Sequence, residues 1–128
     1  MLKFKQDTDK VIRTFYKVYN HLGYGFLEKV YENALAYELQ RQGFTTKQQY
    51  QVEVFYQDLR VGHYFADIIV DNWVIIEVKA SEGLVEADEY QLINYLKASE
   101  IEIGLLFNFG KKPQFKRKIF SNKNTERE

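Results

Sequence analysis

The stretch that decides the fold is ADIIVDNWVIIEVKA, residues 66–80 of this 128-residue chain. Its apolar runs predict two β-strands joined by a hairpin. Asp67, Glu77 and Lys79 interrupt these apolar strands. An ionised side chain is costly to bury unless it is paired with an opposite charge or binds a metal. The three charged residues are therefore the first candidates for a functional site.

The length of the hairpin loop decides whether the three charged side chains meet. Glu77 and Lys79 are two apart on one strand, so they point to the same face. A two-residue loop at Asp71-Asn72 would place Ala66 opposite Glu77 and turn Asp67 to the other face. A three-residue loop or a β-bulge would instead place Asp67 opposite Glu77. Convergence of the three groups thus predicts an odd-length loop or a bulge.

Two carboxylates and an amine in one place would suit metal-assisted hydrolysis of a phosphodiester. Oxygen ligands favour a hard cation such as Mg²⁺ or Mn²⁺, which would relieve the repulsion between the carboxylates. A neighbouring lysine could orient or deprotonate a water, or stabilise charge on a phosphate. The alternative is a salt-bridged trio on a half-exposed sheet face, and the spacing alone leaves it open as the commoner explanation.

The bulk composition limits the class of protein. Apolar residues make up 45% of the chain and aromatic residues 16%, which is enough for a packed core. We expect one domain over residues 1–128, with its core at about 9–119 and a polar tail at 121–128. Eighteen basic residues balance eighteen acidic ones, so attraction to phosphates would need a local patch. The absence of cysteine excludes disulfides, and the polar N-terminus and short apolar runs fit a cytoplasmic protein without a membrane span.

Periodicity along the rest of the chain predicts a small α/β fold in the order helix, helix, three strands, helix, strand. The predicted helices cover residues 9–22, 26–42 and 85–99, and the predicted strands cover 47–57, 61–70, 73–80 and 101–110. PQFKRKIF, residues 113–120, could add a short edge strand. Because the strand at 101–110 follows its predecessor through a helix, we expect the two to be parallel in one mixed sheet flanked by helices.

The charged residues and their neighbours also resemble a known family. Asp67 followed by Glu77-Val78-Lys79 resembles the Asp…(Asp/Glu)-x-Lys signature of the PD-(D/E)XK nuclease superfamily, whose core of helix, three strands, helix and strand matches the predicted order. GFLEKVY, residues 25–31, resembles the Gly-x-x-Glu-x-x-Tyr motif of the GxxExxY protein family within that superfamily. Two further segments, QLINYLKAS and IGLLFNFG, resemble later parts of the same family, so the similarity spans about residues 11–119.

The resemblance implies a role for each matching residue in the charged group. Asp67 and Glu77 would be catalytic carboxylates and metal ligands, and the backbone carbonyl of Val78 would be a further ligand. Lys79 would be the catalytic lysine. Glu28 would be an additional catalytic acid that reaches the metal directly or through water.

The resemblance also implies residues that organise the site or touch nucleic acid. Gln91 and Tyr95 match a Gln-x-x-x-Tyr element with that role, and Tyr31 closes the Gly-x-x-Glu-x-x-Tyr motif. Helical spacing places Gln91 with Tyr95, and Glu28 with Tyr31, on shared helix faces. Ordinary alternatives stay open, because Glu28 could be the N3 residue of a helix capped at Gly25, and Gln91 and Tyr95 could be amphipathic-helix residues.

The implied function is a nuclease that hydrolyses DNA, or RNA, with Mg²⁺ or Mn²⁺ as cofactor. The alternative is a non-catalytic nucleic-acid-binding or protein-assembly module that keeps the nuclease-like fold. A basic cluster could hold a phosphate backbone, although a solvated face is its commoner explanation; its members are Lys111, Lys112, Lys116, Arg117, Lys118 and Lys123. The small size of the chain also makes a homodimer or an accessory protein an expected partner.

Overall fold

A computed structural model of the protein describes residues 2–121, with side chains from Lys5 onwards. The helices of this part of the chain are α1 (Leu2–Leu22), α2 (Glu28–Arg41) and α3 (Glu86–Ala98). The strands are β1 (Thr46–Tyr56), β2 (Leu59–Val70), β3 (Val74–Lys79), β4 (Ile103–Phe109) and β5 (Pro113–Ile119). The predicted order of elements is therefore present, and the predicted edge strand exists as β5.

One mixed sheet with the strand order β1-β2-β3-β4-β5 organises the fold. β3 and β4 are parallel, and the connection between them contains α3, whereas the other neighbouring strands are antiparallel. β4 is buried along its whole length, as expected for a strand with an almost continuous apolar run. The α/β fold predicted from the sequence, a mixed sheet flanked by helices, is confirmed.

Helices cover both faces of the sheet. On one face α1 and α2 pack against the inward side chains of β3 and β4, where the ring of Phe15 stacks on that of Phe107 with centroids 4.3 Å apart. On the other face α3 packs through Leu92 against Ile75 and Leu106. These side chains are fully buried, so removal of apolar surface from water holds the three layers together.

Several elements begin at residues other than those predicted from the sequence. α1 begins at Leu2 rather than at residue 9, because no glycine or proline breaks the helix before that point. β2 begins at Leu59 rather than at residue 61. α2 begins at Glu28 rather than at residue 26, because Leu27 keeps extended backbone and forms the N-cap. The alternative of Glu28 as the N3 residue after a Gly25 cap is therefore wrong.

The β2–β3 hairpin has the odd-length loop that convergence of the charged side chains requires. Val70 pairs with Val74 at the end of the ladder, so residues 71–73 form a three-residue loop. The first two loop residues have positive φ, a conformation that Asp and Asn adopt more readily than most side chains. Continued along the strands, this register places Asp67 opposite Glu77, as the three-residue alternative predicts.

None of the helices in the described residues has the length and the apolar composition that crossing a bilayer requires. The predicted tail is mostly untested, because residues 122–128 lie outside the part of the chain that the structure describes.

Candidate active site

Two carboxylates replace backbone hydrogen bonds where the β2–β3 ladder ends. The backbone N–H of Asp67 donates to Oε2 of Glu77 at 2.8 Å, and the backbone N–H of Val78 donates to Oδ2 of Asp67 at 2.7 Å. Glu77 is only 4% exposed. Each carboxylate therefore binds the strand that carries the other, and this reciprocal pair of hydrogen bonds fixes both side chains at one end of the sheet.

Burial raises the pKa of both carboxyl groups. Desolvation is the largest cause for Glu77, followed by the charge of Asp67, and together they raise the pKa of Glu77 to about 8. Desolvation also raises the pKa of Asp67, against the opposing effect of the hydrogen bond from Val78. A cation placed beside the pair would remove this penalty on the ionised forms. The electrostatics of the pair thus favour a bound cation.

The chemistry of the donors fits a hard divalent cation. Asp67 and Glu77 each accept one of these backbone hydrogen bonds through a single carboxylate oxygen, which leaves the other oxygen of each for a ligand. No group of three or more acidic or histidine side chains within metal-binding reach occurs in residues 2–121. Mg²⁺ commonly takes one or two carboxylates and keeps several waters, so two carboxylates are sufficient.

Lys79 lies beside the carboxylates and is held by α3. Its Nζ donates to Oε1 of Gln91 at 3.3 Å and lies 3.9 Å from Oδ1 of Asp88. Its positive charge acts against the raised pKa of both Asp67 and Glu77. The structure therefore brings together the amine, the two carboxylates and the glutamine that the resemblance singles out.

Tyr95, on α3, lies within electrostatic range of the same pair. Desolvation, followed by the charges of Glu77 and Asp67, raises the pKa of Tyr95 to about 12. The side chain is buried, so it offers little surface to a nucleic acid. Its hydroxyl stays protonated at physiological pH and can act as a neutral donor near the carboxylates.

Tyr31 is fully buried, so it has no surface with which to touch nucleic acid. Its hydroxyl donates to the carbonyl of Gly23 at 2.6 Å and accepts from the backbone N–H of Phe26 at 3.1 Å. These bonds fix the loop that leads into α2 at Glu28. Of the two roles that the resemblance implies for Tyr31, the geometry suits only organisation of the site.

Glu28 connects the start of α2 to the segment that follows β3. Its Oε2 accepts a hydrogen bond from the backbone N–H of Ala80 at 3.2 Å. Its negative charge also contributes to the raised pKa of Asp67. Glu28 therefore lies within electrostatic range of the carboxylate pair, although its own oxygen is engaged by the backbone beside Lys79.

Glu32 is a buried acid near the site that sequence reasoning missed. Its carboxylate accepts hydrogen bonds from the side-chain amides of Gln48 at 2.8 Å and Gln49 at 3.1 Å. Its charge contributes to the raised pKa of Asp67. The signal was available, because Glu32 follows Glu28 by four residues and residues so spaced share a helix face.

Asn108 is a second residue that sequence reasoning missed. It lies opposite Lys79 in the β3–β4 register, and its buried amide accepts from the N–H of Ser81 at 2.9 Å and donates to the Ser81 carbonyl at 3.0 Å. A Cβ at Gly110 would collide with that carbonyl oxygen, so only glycine permits the close approach. Asn108 thus holds the segment that follows Lys79, in which the Ala80 N–H donates to Glu28. The sequence feature that could have revealed Asn108 is its position as a single amide side chain within an apolar run.

We expect Asn108→Ala to lower the free energy of unfolding by about 1–3 kcal/mol, because the Ser81 N–H and carbonyl would lose their partners in a part-buried position. Asn94→Ala, on the exposed side of α3, is the control and should change stability by no more than about 0.5 kcal/mol. Urea unfolding of both variants measures the difference. Equal stability of the two variants would show that the amide does not hold this segment.

The alternation of side chains along β5 divides the predicted basic cluster, because Arg117 points to the opposite face from Lys116 and Lys118. Lys118 is paired with Glu89 at 2.5 Å on the α3 side of β5. The other described members are exposed along β5 and in the turn before it, namely Lys111, Lys112, Lys116 and Arg117. Lys123 lies outside the described residues.

The mixed sheet and the paired carboxylates at the end of its central strands define a nuclease-like α/β protein. The chain belongs to the PD-(D/E)XK nuclease superfamily, because the model of that superfamily matches residues 5–118. Members of this superfamily generally use divalent metals and interact with nucleic acids.

Comparison with individual proteins adds support for the fold alone. No curated protein matches the chain in sequence. A crystal structure of SSO0001 is similar to it, with a TM-score of 0.57 and 16% sequence identity. The match covers 77% of this chain and 52% of the other, so the chain spans about half the length of that protein.

Proposed function

We propose that this protein is a metal-dependent nuclease of the GxxExxY family that hydrolyses phosphodiester bonds of DNA by attack of water. The observation that carries the proposal is the reciprocal pairing of two buried carboxylates, Asp67 and Glu77, beside Lys79. A salt-bridged trio on a half-exposed face would pair Lys79 with one of these acids. Lys79 instead forms its ion pair with Asp88, which leaves the carboxylate pair for another cation.

Each residue of the charged group has a role in the proposed reaction. When bound, Mg²⁺ or Mn²⁺ would supply a Lewis acid for the phosphate and lower the pKa of a water. Asp67 and Glu77 would hold the ion through their free oxygens, with the Val78 carbonyl as a further donor. Lys79 would orient or deprotonate the attacking water, or stabilise negative charge on the phosphate. Gln91 would position Lys79 through its hydrogen bond to Nζ.

The surrounding residues would tune this chemistry. Glu28 would act through water at the edge of the site and so take part in catalysis without direct ligation. Tyr95 would remain a neutral donor beside the carboxylates because its pKa is raised to about 12. Tyr31 would keep the loop before α2 in place. A cytoplasmic location and a single domain over residues 1–128 remain predictions.

A second candidate function is a binding or assembly module without catalysis. It is favoured by the outer part of the β1–β2 hairpin, residues 51–65, where β2 pairs only with β1. A two-stranded ribbon is marginally stable alone, and this one exposes several large apolar side chains. They are Phe55, Tyr56, Leu59, Val61, Tyr64 and Phe65. A homodimer or an accessory protein would cover this ribbon, and sedimentation of the chain tests the first possibility.

Cleavage of DNA is expected in Mg²⁺ or Mn²⁺ and not in the presence of a chelator, because the carboxylate pair needs a cation to act on a phosphate. The measurement is gel electrophoresis of single- and double-stranded DNA after incubation with the full chain, with RNA of the same sequence as a further substrate. Metal-dependent cutting of RNA alone would reassign the substrate. An absence of cutting in every metal, together with retained binding, would favour the binding module.

A further inference from the structure

We infer that a groove beside the candidate active site binds an unstacked base of a single-stranded nucleic acid, with Tyr24 as the stacking surface. This inference rests on the proposed nuclease function and names the form of its substrate. The groove has a volume of about 390 Å³. Three segments line it and are called its walls: residues 24–27, residues 80–82 and residues 109–111.

The groove borders the proposed catalytic group. Leu27 in one wall is followed by Glu28, and Ala80 in another wall follows Lys79. The hydrogen bond from the Ala80 N–H to Glu28 joins these two walls at the side of the site. A nucleic-acid strand with one phosphate at Lys79 would therefore have a neighbouring nucleotide at the groove.

The wall formed by residues 24–27 is fixed, yet it exposes apolar side chains. Tyr24 is 58% exposed and Leu27 is 81% exposed. The loop is held by the Tyr31 hydroxyl, which binds backbone groups on both sides of Tyr24, and by Gly25, whose φ of 113° other residues rarely adopt. A free flexible loop could bury such side chains by rearranging. A fixed aromatic surface beside a phosphodiesterase site suits base stacking, because every base offers a π-face.

The wall formed by residues 109–111 supplies a positive charge. Lys111 is exposed, and the turn that carries it is fixed because the Tyr19 hydroxyl lies 2.8 Å from the Gly110 carbonyl oxygen and 2.7 Å from that of Lys111. A lysine in this position can neutralise a backbone phosphate next to the stacked base. The groove thus offers the two groups that single strands need, a stacking surface and a cation.

A single strand fits this groove better than a duplex does. Bases inside a duplex are stacked on both faces, so none is available to Tyr24 unless the helix opens. The expected substrate is therefore a single strand or an opened end, and DNA and RNA share this chemistry.

The test measures binding of the full chain to a fluorescein-labelled DNA of about 20 nucleotides, as a single strand and as a duplex. Ca²⁺ replaces Mg²⁺, and a gel checks that the strand stays intact. We expect the single strand to bind at least about tenfold more tightly than the duplex, and Tyr24→Ala to weaken single-strand binding by about tenfold. Tyr24→Trp should retain binding because it keeps a stacking surface. RNA of the same sequence tests whether the groove binds single-stranded RNA as well as single-stranded DNA.

Tyr37→Ala is the matched control, because Tyr37 is 62% exposed on α2 and lies outside the groove. Its binding should equal that of the unmodified chain. Unchanged binding by Tyr24→Ala, or tighter binding of the duplex, would overturn the inference. If the unmodified chain then still cuts DNA with metal, the nuclease proposal survives without the groove. If it cuts nothing but its single-strand binding depends on Tyr24, the groove stands and the nuclease proposal fails.

Discussion

Lys79→Ala is expected to reduce metal-dependent cleavage by about 10²–10⁴-fold, the range typical of a lost general acid–base or charge-stabilising group. Lys79 belongs to the signature motif, and its positive charge acts on the Asp67–Glu77 pair. The side chain of Gln91 holds its Nζ in place. Removing the amine leaves both proposed ligands, Asp67 and Glu77, in place, so metal binding should persist while turnover is lost. Single-turnover cleavage rates at saturating protein measure the change directly.

Lys17→Ala is the control for loss of a lysine from an ion pair. Lys17 pairs with Glu38 at 2.7 Å on the α1–α2 surface and has no connection to the candidate site. Both variants should remain folded, which urea unfolding checks. Lys17→Ala should change the free energy of unfolding by less than about 1 kcal/mol, because surface ion pairs contribute little. Equal cleavage by Lys79→Ala and the unmodified chain would count against the catalytic role, since the fold would be intact in both.

The central strands could be predicted from the sequence because several signals agree there. The apolar runs on both sides of the loop define β2 and β3, and the helical spacing of the next segment defines the crossover to a parallel β4. The sequence leaves the register open between a two-residue and a three-residue loop. The requirement that Asp67 and Glu77 share a site selected the second, and the pairing of Val70 with Val74 agrees with it.

The strand irregularity next to Asp67 has no counterpart in the sequence pattern. Ala66 and Ile69 pack in the same cluster against α3 although they are three apart, so the alternation of side chains changes phase between them. On β1 the pairing skips Gln49, which has a φ of 55°. A strand pattern read with period two cannot reveal such a change, because tertiary packing on both faces decides where it falls.

The residues that support the site were missed because their partners are distant in sequence. Glu32 looks like a surface glutamate until β1 brings Gln48 and Gln49 to it. Asn108 looks like an interruption of a buried strand until Ser81 reaches it across the sheet. Local periodicity predicts which elements form, whereas these contacts depend on how the elements pack, and only coordinates provide that.

Glu77→Gln is expected to stabilise the metal-free protein by roughly 2–4 kcal/mol at pH 9 and to leave its stability nearly unchanged at pH 4. The pKa of Glu77 is raised from an ordinary value of 4.5 to about 8 in the folded chain. Between these values the folded state keeps a proton that the unfolded state has released. The stability of the unmodified chain therefore falls as pH rises through this window. The glutamine side chain of the variant is neutral at every pH and can still accept a hydrogen bond from the Asp67 N–H, so the variant avoids this loss.

Urea unfolding at pH 4, 6 and 9 without divalent metal measures this effect, with Glu89→Gln as a control of opposite sign. The hydrogen bond from Lys118 lowers the pKa of Glu89, so its ionised form stabilises the fold at high pH, and Glu89→Gln should lower stability at pH 9. Burial also raises the pKa of Asp67. The stability of the Glu77→Gln variant should therefore still depend partly on pH.

Added Mg²⁺ at pH 9 connects this stability effect to the proposed site. A metal that binds only the folded state stabilises it by mass action, and the ionised Glu77 is one of the proposed ligands. Mg²⁺ should therefore raise the unfolding midpoint of the unmodified chain and have much less effect on Glu77→Gln. A variant less stable than the unmodified chain at pH 9 would contradict the raised pKa. An equal response of both proteins to Mg²⁺ would instead remove Glu77 from the metal site.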